Sequence, residues 1–341
     1  MRTLLLLIGS LCCLPFSTLA QNVPNKGLKP SQLAVVVNDE DANSVEIGEY
    51  YVKARAIPAH NVVHVRIPNR PRKLSPEQFR DLKEQIDAKL GSGIEAVLMV
   101  WTAPYAVDCN SITSAYTLGF DAAQCAKPCG PGKDSPYFNS SAGLPSSYKL
   151  RLSMLLPTES VEGARALIDR GVLSSFHVPP ASAYFLVTSD AARSSRARFF
   201  PPSTAVPSRK LAIKTLRQDS LENVSDIMVY ETGLAHVAKL DTLRFLPGAL
   251  ADHLTSVGGD LLGEGQMSSL RWLEAGATAS YGTVSEPCNY WQKFPNSTVL
   301  LRHYLNGATA IEAYWKSVAW PAQGVFIGEP LAAPYAQATG R

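Results

Sequence analysis

The sequence lacks the common signatures of nucleotide-binding proteins, serine hydrolases and zinc peptidases. It has no Gly-x-Gly-x-x-Gly after the first predicted strand, no Walker motif, no Gly-x-Ser-x-Gly and no His-Glu-x-x-His. These absences exclude the usual dinucleotide turn, phosphate loop, nucleophile elbow and zinc-binding helix. We therefore expect neither a cofactor nor a bound metal ion.

Charge is also nearly balanced, and long apolar runs are missing after the first twenty residues. The chain has 32 Lys and Arg against 29 Asp and Glu, with no basic cluster interleaved with aromatic residues. This balance excludes an extended nucleic-acid surface. No later stretch reaches the length of roughly 20 apolar residues that spans a bilayer, so we expect no transmembrane segment in the mature chain.

The N-terminus has the layout of a secretory signal. Residues 1–20 contain one basic residue, an apolar run and the small-residue ending Thr18-Leu19-Ala20, which predicts cleavage before Gln21 and export to the periplasm or outside the cell. A polar, flexible tail is predicted over 21–32. One large α/β domain is predicted over 33–335, with an N-terminal half over 33–198 and a C-terminal half over 209–335.

Four cysteines remain after the predicted signal: Cys109, Cys125, Cys129 and Cys288. An even number in an oxidising compartment favours disulfides. The Cys125 to Cys129 spacing is not that of a redox Cys-x-x-Cys, and no histidine completes a zinc site. For Cys288 two alternatives stand, a bridge to the loop holding the other three cysteines or a free thiol.

Alternating strand and helix patterns open the domain. Buried-type strands are predicted at 33–38, 61–67 and 95–101, separated by a helix capped by Ser44 and by a helix with Ser75 as N-cap and Gln78 at its third position. Later strands are predicted at 183–188, 226–230 and 324–328, with a helix after residue 208. This order predicts an α/β fold, a mostly parallel doubly wound sheet with helices on both faces.

An irregular segment and an arginine cluster lie between the predicted strands. Residues 102–150 show no periodicity and contain three of the four cysteines, which predicts an ordered loop over the strand ends. Arg193, Arg196 and Arg198 follow the fourth main strand, where such a cluster is suited to a carboxylate or phosphate, or forms an ordinary charged surface.

The densest group of reactive side chains lies in residues 247–288. A helix predicted over 247–256 places His253 and Ser256 three residues apart on one face. A small-residue strand over 277–282 then leads to Glu286 and Cys288. We predict the functional site at this strand end.

Two functions are open at this stage. In the first, the protein is a hydrolase with His253 as base, Ser256 or Cys288 as nucleophile, and Asp252 or Glu286 as orienting group or acid. In the second, it is a non-catalytic binding or scaffold protein that holds a peptide or saccharide in a cleft under 102–150.

Several phrases carry a resemblance to a family of exported bacterial proteins of unknown function: PGALADHLTS, GATASYGTVSEP, LNGATAIEAYWKSV and FIGEPLAAPY. The C-terminal part also resembles the caspase-like fold of gingipain-type cysteine peptidases, in its small-residue strand at 276–282, the helix motif at 307–313 and Gly328-Glu329-Pro330. That resemblance implies a His-Gly after one strand and a Cys after the next. This sequence has Glu231-Thr232-Gly233 and then Pro247-Gly248, which favours a degenerate, peptidase-like binding protein.

Overall fold

A sheet of eleven strands forms the centre of the molecule. The computed structural model describes residues 27–141, 143–174 and 178–336; the predicted signal over 1–20 lies outside them. The described strands are β1 Leu33–Asn38, β2 Val62–Val65, β3 Lys73–Leu74, β4 Ala96–Val100, β5 Ala106–Val107, β6 Asn110–Ser111, β7 Leu152–Leu155, β8 Ala181–Val187, β9 Thr204–Val206, β10 Leu211–Arg217, β11 Ile227–Thr232, β12 Phe245–His253, β13 Ala279–Thr283 and β14 Gly324–Gly328. Strands β3, β5 and β6 form a small separate sheet, and the others form the central sheet.

Helices cover both faces of this sheet. They are α1 Ala42–Arg55, α2 Pro76–Asp87, α3 Ile112–Leu118, α4 Ala122–Ala126, α5 Val161–Leu173, α6 Leu270–Glu274, α7 Ser297–Leu305 and α8 Ala310–Ser317. The predicted α/β class with a mostly parallel sheet is therefore confirmed. No helix within the described ranges is both long and apolar enough to cross a membrane.

Apart from the edge strand β9, which pairs antiparallel with β10, the sheet consists of two blocks of parallel strands that run in opposite directions. The strand order is β2-β1-β4-β7-β14-β13-β12-β11-β8-β10-β9. Strand β14 pairs in parallel with β7 but antiparallel with β13. We call β2, β1, β4, β7 and β14 the first block, and β13, β12, β11, β8 and β10 the second block. The carboxyl ends of the two blocks consequently lie at opposite edges of the sheet.

Local sequence signals fix the helix starts in the first block. Helix α2 begins with the predicted capping box, in which the Ser75 side chain accepts from the Gln78 N–H and the Gln78 side chain accepts from the Ser75 N–H. The predicted Ser44 cap of α1 is wrong, because Asp41 caps this helix by accepting from the Asn43 N–H. The Ser44 hydroxyl is buried and donates to the carbonyl of Val100 instead.

The helix predicted over 247–256 is also wrong, since residues 247–253 belong to β12 and residues 254–256 follow its end. Residues 249–253 are buried between the neighbouring strands β11 and β13, and burial on both faces overrides the helical signal of Pro247. Pro247 and Gly248 lie where the register with β11 shifts, between the pairs Ile227–Phe245 and Val229–Leu250. Gly248 has φ of +87°, a conformation that glycine adopts without strain.

The segment 102–150 contains more regular secondary structure than the ordered loop predicted from the sequence. It contains α3, α4 and the short strands β5 and β6, and β5 pairs with both β3 and β6. The start of α3 is held to the sheet by hydroxyl bonds, with Ser111 donating to the Gly324 carbonyl over 2.5 Å and Ser153 donating to the Thr113 carbonyl over 2.7 Å. The segment therefore packs against the sheet as well as joining its strands.

Two further expectations differ from the structure. The helix predicted after residue 208 is β10, which pairs in parallel with β8 over its whole length. Within the predicted tail, Leu28 is buried and its N–H donates to the Glu312 carboxylate over 3.2 Å, while Pro30–Gln32 forms a turn of 3-10 helix. The described end of the tail is thus packed against α8.

Candidate functional site

A pair of acidic side chains lies at the carboxyl ends of β11 and β12. Glu231 and Asp252 are direct partners in the register of these strands and project to the same face. Helices α7 and α8 cover that face: Ser297 donates to the Glu231 carboxylate, and the Tyr314 hydroxyl donates to Asp252 over 3.3 Å. Both carboxylates are fully buried.

Arg196 completes this group from the segment that follows β8. Its Nη2 lies 2.6 Å from Asp252 Oδ1, and its Nη1 lies 3.8 Å from Glu231 Oε2. The guanidinium also donates to the carbonyl of Thr232 over 2.9 Å. Only 1% of Arg196 is exposed. We call Arg196, Glu231 and Asp252 the buried ion cluster.

Burial dominates the electrostatics of the cluster. It raises the pKa of Glu231 and of Asp252, and Arg196 opposes that rise at both carboxyls. Burial pulls the pKa of Arg196 down, but the two carboxylates outweigh it and leave that pKa raised. One guanidinium therefore faces two carboxyls, and the Glu231 carboxyl, at the greater distance, is the one that holds a proton more readily.

The cluster is not fully hydrogen-bonded. In the described structure, Arg196 Nε and Glu231 Oε1 are buried without a hydrogen-bond partner, as is Oγ1 of the neighbouring Thr232. Unsatisfied buried groups of this kind cost free energy. Burying this cluster therefore costs folding free energy. Removing one charged partner would cost more, because the remaining charge would be buried without its counter-ion.

His253 is the last residue of β12 and is 1% exposed. Its Nε2 lies 3.0 Å from the carbonyl oxygen of Met267, and its Nδ1 accepts from the indole N–H of Trp272 over 2.9 Å. These partners require the neutral tautomer with the proton on Nε2. Burial lowers the pKa of His253 to about 3. Both nitrogens are therefore occupied, and neither is free to take a proton from a nucleophile.

Ser256 follows the end of β12 and does not share a helix face with His253, because the predicted helix is absent. The Ser256 carbonyl accepts from the Thr283 hydroxyl over 2.9 Å. His253 makes no hydrogen bond to Ser256 in the described structure; its ring contacts Trp272 and Met267 instead. The predicted pairing of a base with a hydroxyl is consequently not formed.

Cys288 is bonded to Cys129, and Cys109 is bonded to Cys125. The disulfide interpretation is thus confirmed, and Cys288 is no free thiol. Glu286 is exposed and accepts from the Cys288 N–H over 2.8 Å. Glu286 and the sulfurs of Cys129 and Cys288 lie within 4.8 Å of one another, but the two sulfurs are bonded to each other and offer no thiolate to a metal ion.

The arginines predicted as an anion-binding cluster have separate roles. Arg193 pairs with Asp190 over 2.7 Å and donates to the Thr255 hydroxyl over 3.0 Å. Arg198 lies over the ring of Phe199 at 5.1 Å. Arg196 points into the interior and joins the buried ion cluster. The three guanidinium groups therefore do not converge on one ligand.

The sequence interpretation missed the role of Arg196 and Glu231. They are separated from each other and from Asp252 by tens of residues, and no local spacing links them. A charged residue within an apolar strand, such as Glu231 at the end of Ile227–Thr232, was the only available signal. It indicates a buried partner without identifying it.

No family model and no curated protein matches this chain. Membership of the exported family therefore stays a prediction.

Three solved structures are similar at 10% sequence identity. One described as a protease has a TM-score of 0.48 and covers 92% of this chain and 80% of its own. The Arg-specific cysteine proteinase gingipain R has a TM-score of 0.47, covering 91% and 79%. A complex of the Porphyromonas gingivalis RgpB pro- and mature domains has a TM-score of 0.42, covering 89% and 79%.

Proposed function

We propose that this protein is an exported, non-catalytic binding or scaffold protein built on a peptidase-like α/β fold. The observation that carries the proposal is the buried ion cluster at the ends of β11 and β12. Arg196, Glu231 and Asp252 are each at most 1% exposed. A substrate bond cannot reach groups that are covered in this way, so these polar residues support the fold.

The chemistry expected of a gingipain-type peptidase has no counterpart at these strand ends. Strand β11 ends in Thr232, followed by Gly233, and β12 ends in Asp252 and His253. A cysteine peptidase requires a thiolate within hydrogen-bond reach of an imidazole. Here no thiol follows either strand, and the cysteines at 109, 125, 129 and 288 form disulfides.

The disulfides also support export. Cys109–Cys125 and Cys129–Cys288 both include the 102–150 segment, and the second joins it to the residues that follow β13. Such bonds form and persist in oxidising compartments. The predicted signal over residues 1–20 agrees with this location.

A turnover assay tests the proposal against a hydrolase that uses His253 with Ser256 or Cys288. The protein without residues 1–20 is incubated with fluorescein-labelled casein and with chromogenic peptides carrying Arg or Lys before the scissile bond. We expect no turnover above that of the matched Ser256→Ala and His253→Gln variants. Turnover by the wild-type protein that Ser256→Ala abolishes, with an unchanged melting temperature, would overturn the proposal.

Thiol labelling gives an independent measurement. Unreduced, denatured protein is treated with iodoacetamide and weighed by mass spectrometry. We expect no added carbamidomethyl group on Cys109, Cys125, Cys129 or Cys288. Labelling of Cys288 alone in the native protein would contradict the non-catalytic assignment and restore this residue as a nucleophile.

A further inference from the structure

A groove of about 360 Å³ lies at the carboxyl end of the first block, on the opposite edge of the sheet from the buried ion cluster. One wall is the segment 66–71, which follows β2, and the other is helix α2. This volume falls within the range of roughly 300–1,000 Å³ that is usual for small-ligand sites. The groove is lined by residues outside 102–150, so it differs from the cleft expected from the sequence.

The wall formed by 66–71 is held in place from several directions. The buried Asn38 side chain accepts from the Ile67 N–H over 2.8 Å and donates to the Ile67 carbonyl over 3.1 Å. Arg70 pairs with Glu159 and lies 3.4 Å from Asp41. These contacts hold the loop in one conformation. Binding of a ligand would therefore cost less conformational entropy than it would with a flexible loop.

The same wall contains an unusual backbone conformation. Asn69 and Arg70 have φ of +62° and +42°, two consecutive left-handed residues of which neither is glycine. Conformations of this kind are strained and persist where the surroundings enforce them, often at ligand sites. A fixed, strained wall indicates a preformed groove.

The lining has an apolar floor between two exposed charges. Ile67, Leu74 and Leu82 form part of the floor, each at most 6% exposed. Arg66 stands on the loop wall, and its ion contact to Glu40 is 3.9 Å long. Asp81 stands on the helix wall.

Both charges are exposed and only weakly paired within the protein. The side chain of Asp81 is 68% exposed, and its ion contact to Arg80 is 4.0 Å long. Exposed pairs at such distances contribute little. The groove therefore presents one weakly paired cation and one weakly paired anion on facing walls.

We propose that this groove binds a short peptide with free termini, its ammonium group at Asp81, its carboxylate at Arg66 and an aliphatic side chain on the floor. The amides of Gln78 and Gln85 on α2 complement the peptide bonds between the termini. Gln78 Oε1 already accepts from the Ser75 N–H, which leaves its Nε2 to donate. None of the described residues that line the groove is aromatic, so no ring is present on which a sugar would stack. A peptide therefore fits better than a saccharide.

This inference rests on the proposed binding role and adds its ligand class. The test is calorimetric titration of the protein without residues 1–20 with the tripeptide Ala-Leu-Ala at low ionic strength. The control ligand is the same tripeptide with an acetylated N-terminus and an amidated C-terminus. We expect binding of the free tripeptide and a loss of affinity of about tenfold or more for the capped form, because capping removes both charges.

Matched variants distinguish the effects of Arg66 and Asp81 on binding from the general effect of changing surface charge. Arg66→Gln and Asp81→Asn should each weaken binding by about tenfold. Arg217→Gln and Glu84→Gln remove exposed charges of the same two signs outside the groove lining and should leave affinity within about twofold. Melting curves confirm that each variant folds.

The outcomes distinguish the two proposals. No heat at millimolar tripeptide, or equal affinity for the capped form, overturns the groove assignment and leaves the non-catalytic role intact. Chromatography of the titrated sample shows whether the tripeptide has been cleaved. Binding with cleavage would overturn the non-catalytic role while supporting the groove, and binding without cleavage supports both.

Discussion

Trp272 donates its indole N–H to Nδ1 of His253 over 2.9 Å, deep in the second block of the sheet. The two rings lie 5.9 Å apart between centroids. Together with the Met267 carbonyl at 3.0 Å from Nε2, this contact fixes one neutral tautomer. His253 is consequently a structural residue that joins the end of β12 to α6.

This arrangement predicts a loss of stability in acid. Burial lowers the pKa of His253 to about 3 from an ordinary value of 6.5. The stability that the neutral ring contributes is therefore fully present above pH 6.5 and is lost as pH falls towards 3. Between these values the imidazole takes up a proton only in the unfolded state, so we expect the urea midpoint of the wild-type protein to fall over this range. The fluorescence of Trp272 in the folded protein should change only as the pH approaches 3, where His253 is protonated and Trp272 loses its acceptor.

Two variants check the assignment to His253. His253→Gln removes the titration, so its urea midpoint should depend less on pH between 6.5 and 4, although it starts from a lower value. His60→Gln changes an exposed imidazole in another part of the fold and serves as the matched control, for which we expect the wild-type pH profile. Identical profiles for the wild-type protein and His253→Gln would contradict this prediction.

Breaking the buried ion cluster should destabilise the protein strongly. Arg196→Met leaves Glu231 and Asp252 buried without their cation, and we expect a loss of about 3–5 kcal/mol in the free energy of unfolding. Arg198→Met, at an exposed neighbouring position, should change it by less than about 0.5 kcal/mol. Urea unfolding measures both.

The same cluster predicts a milder effect at Glu231. Its pKa is raised by burial, and a glutamine keeps the shape while removing a charge that is costly to bury. We expect Glu231→Gln to be far less damaging than Arg196→Met, within about 1.5 kcal/mol of the wild-type protein. A loss as large as that of Arg196→Met would show that Glu231 needs its charge.

The two disulfides should differ in their contribution to stability. Cys129–Cys288 closes a separation of 159 residues and Cys109–Cys125 one of 16. Loop-closure entropy assigns them about 5 and about 3 kcal/mol. We expect the double serine variant at 129 and 288 to melt at a lower temperature than the one at 109 and 125; the reverse order would show that local packing outweighs chain entropy.

Much of the first block was predictable because its signals are local. The apolar run Leu33–Asn38 and the capping box at Ser75 and Gln78 each act within a few residues. Periodicity and capping chemistry depend on neighbours along the chain, so the sequence alone determined these elements and the α/β class. The even number of cysteines after the predicted signal likewise predicted disulfides, without deciding the partner of Cys288.

Only the tertiary structure decided the direction of the two blocks, the conformation of β12 and the fate of the candidate site. Strand β14 joins the blocks through pairings with β7 and β13, which are distant in sequence. Residues 247–256 carry a helical signal, but burial between two strands is worth more than local propensity. Arg196 meets Asp252 across 56 residues, because charges are paired by where the fold brings them and not by their spacing along the chain.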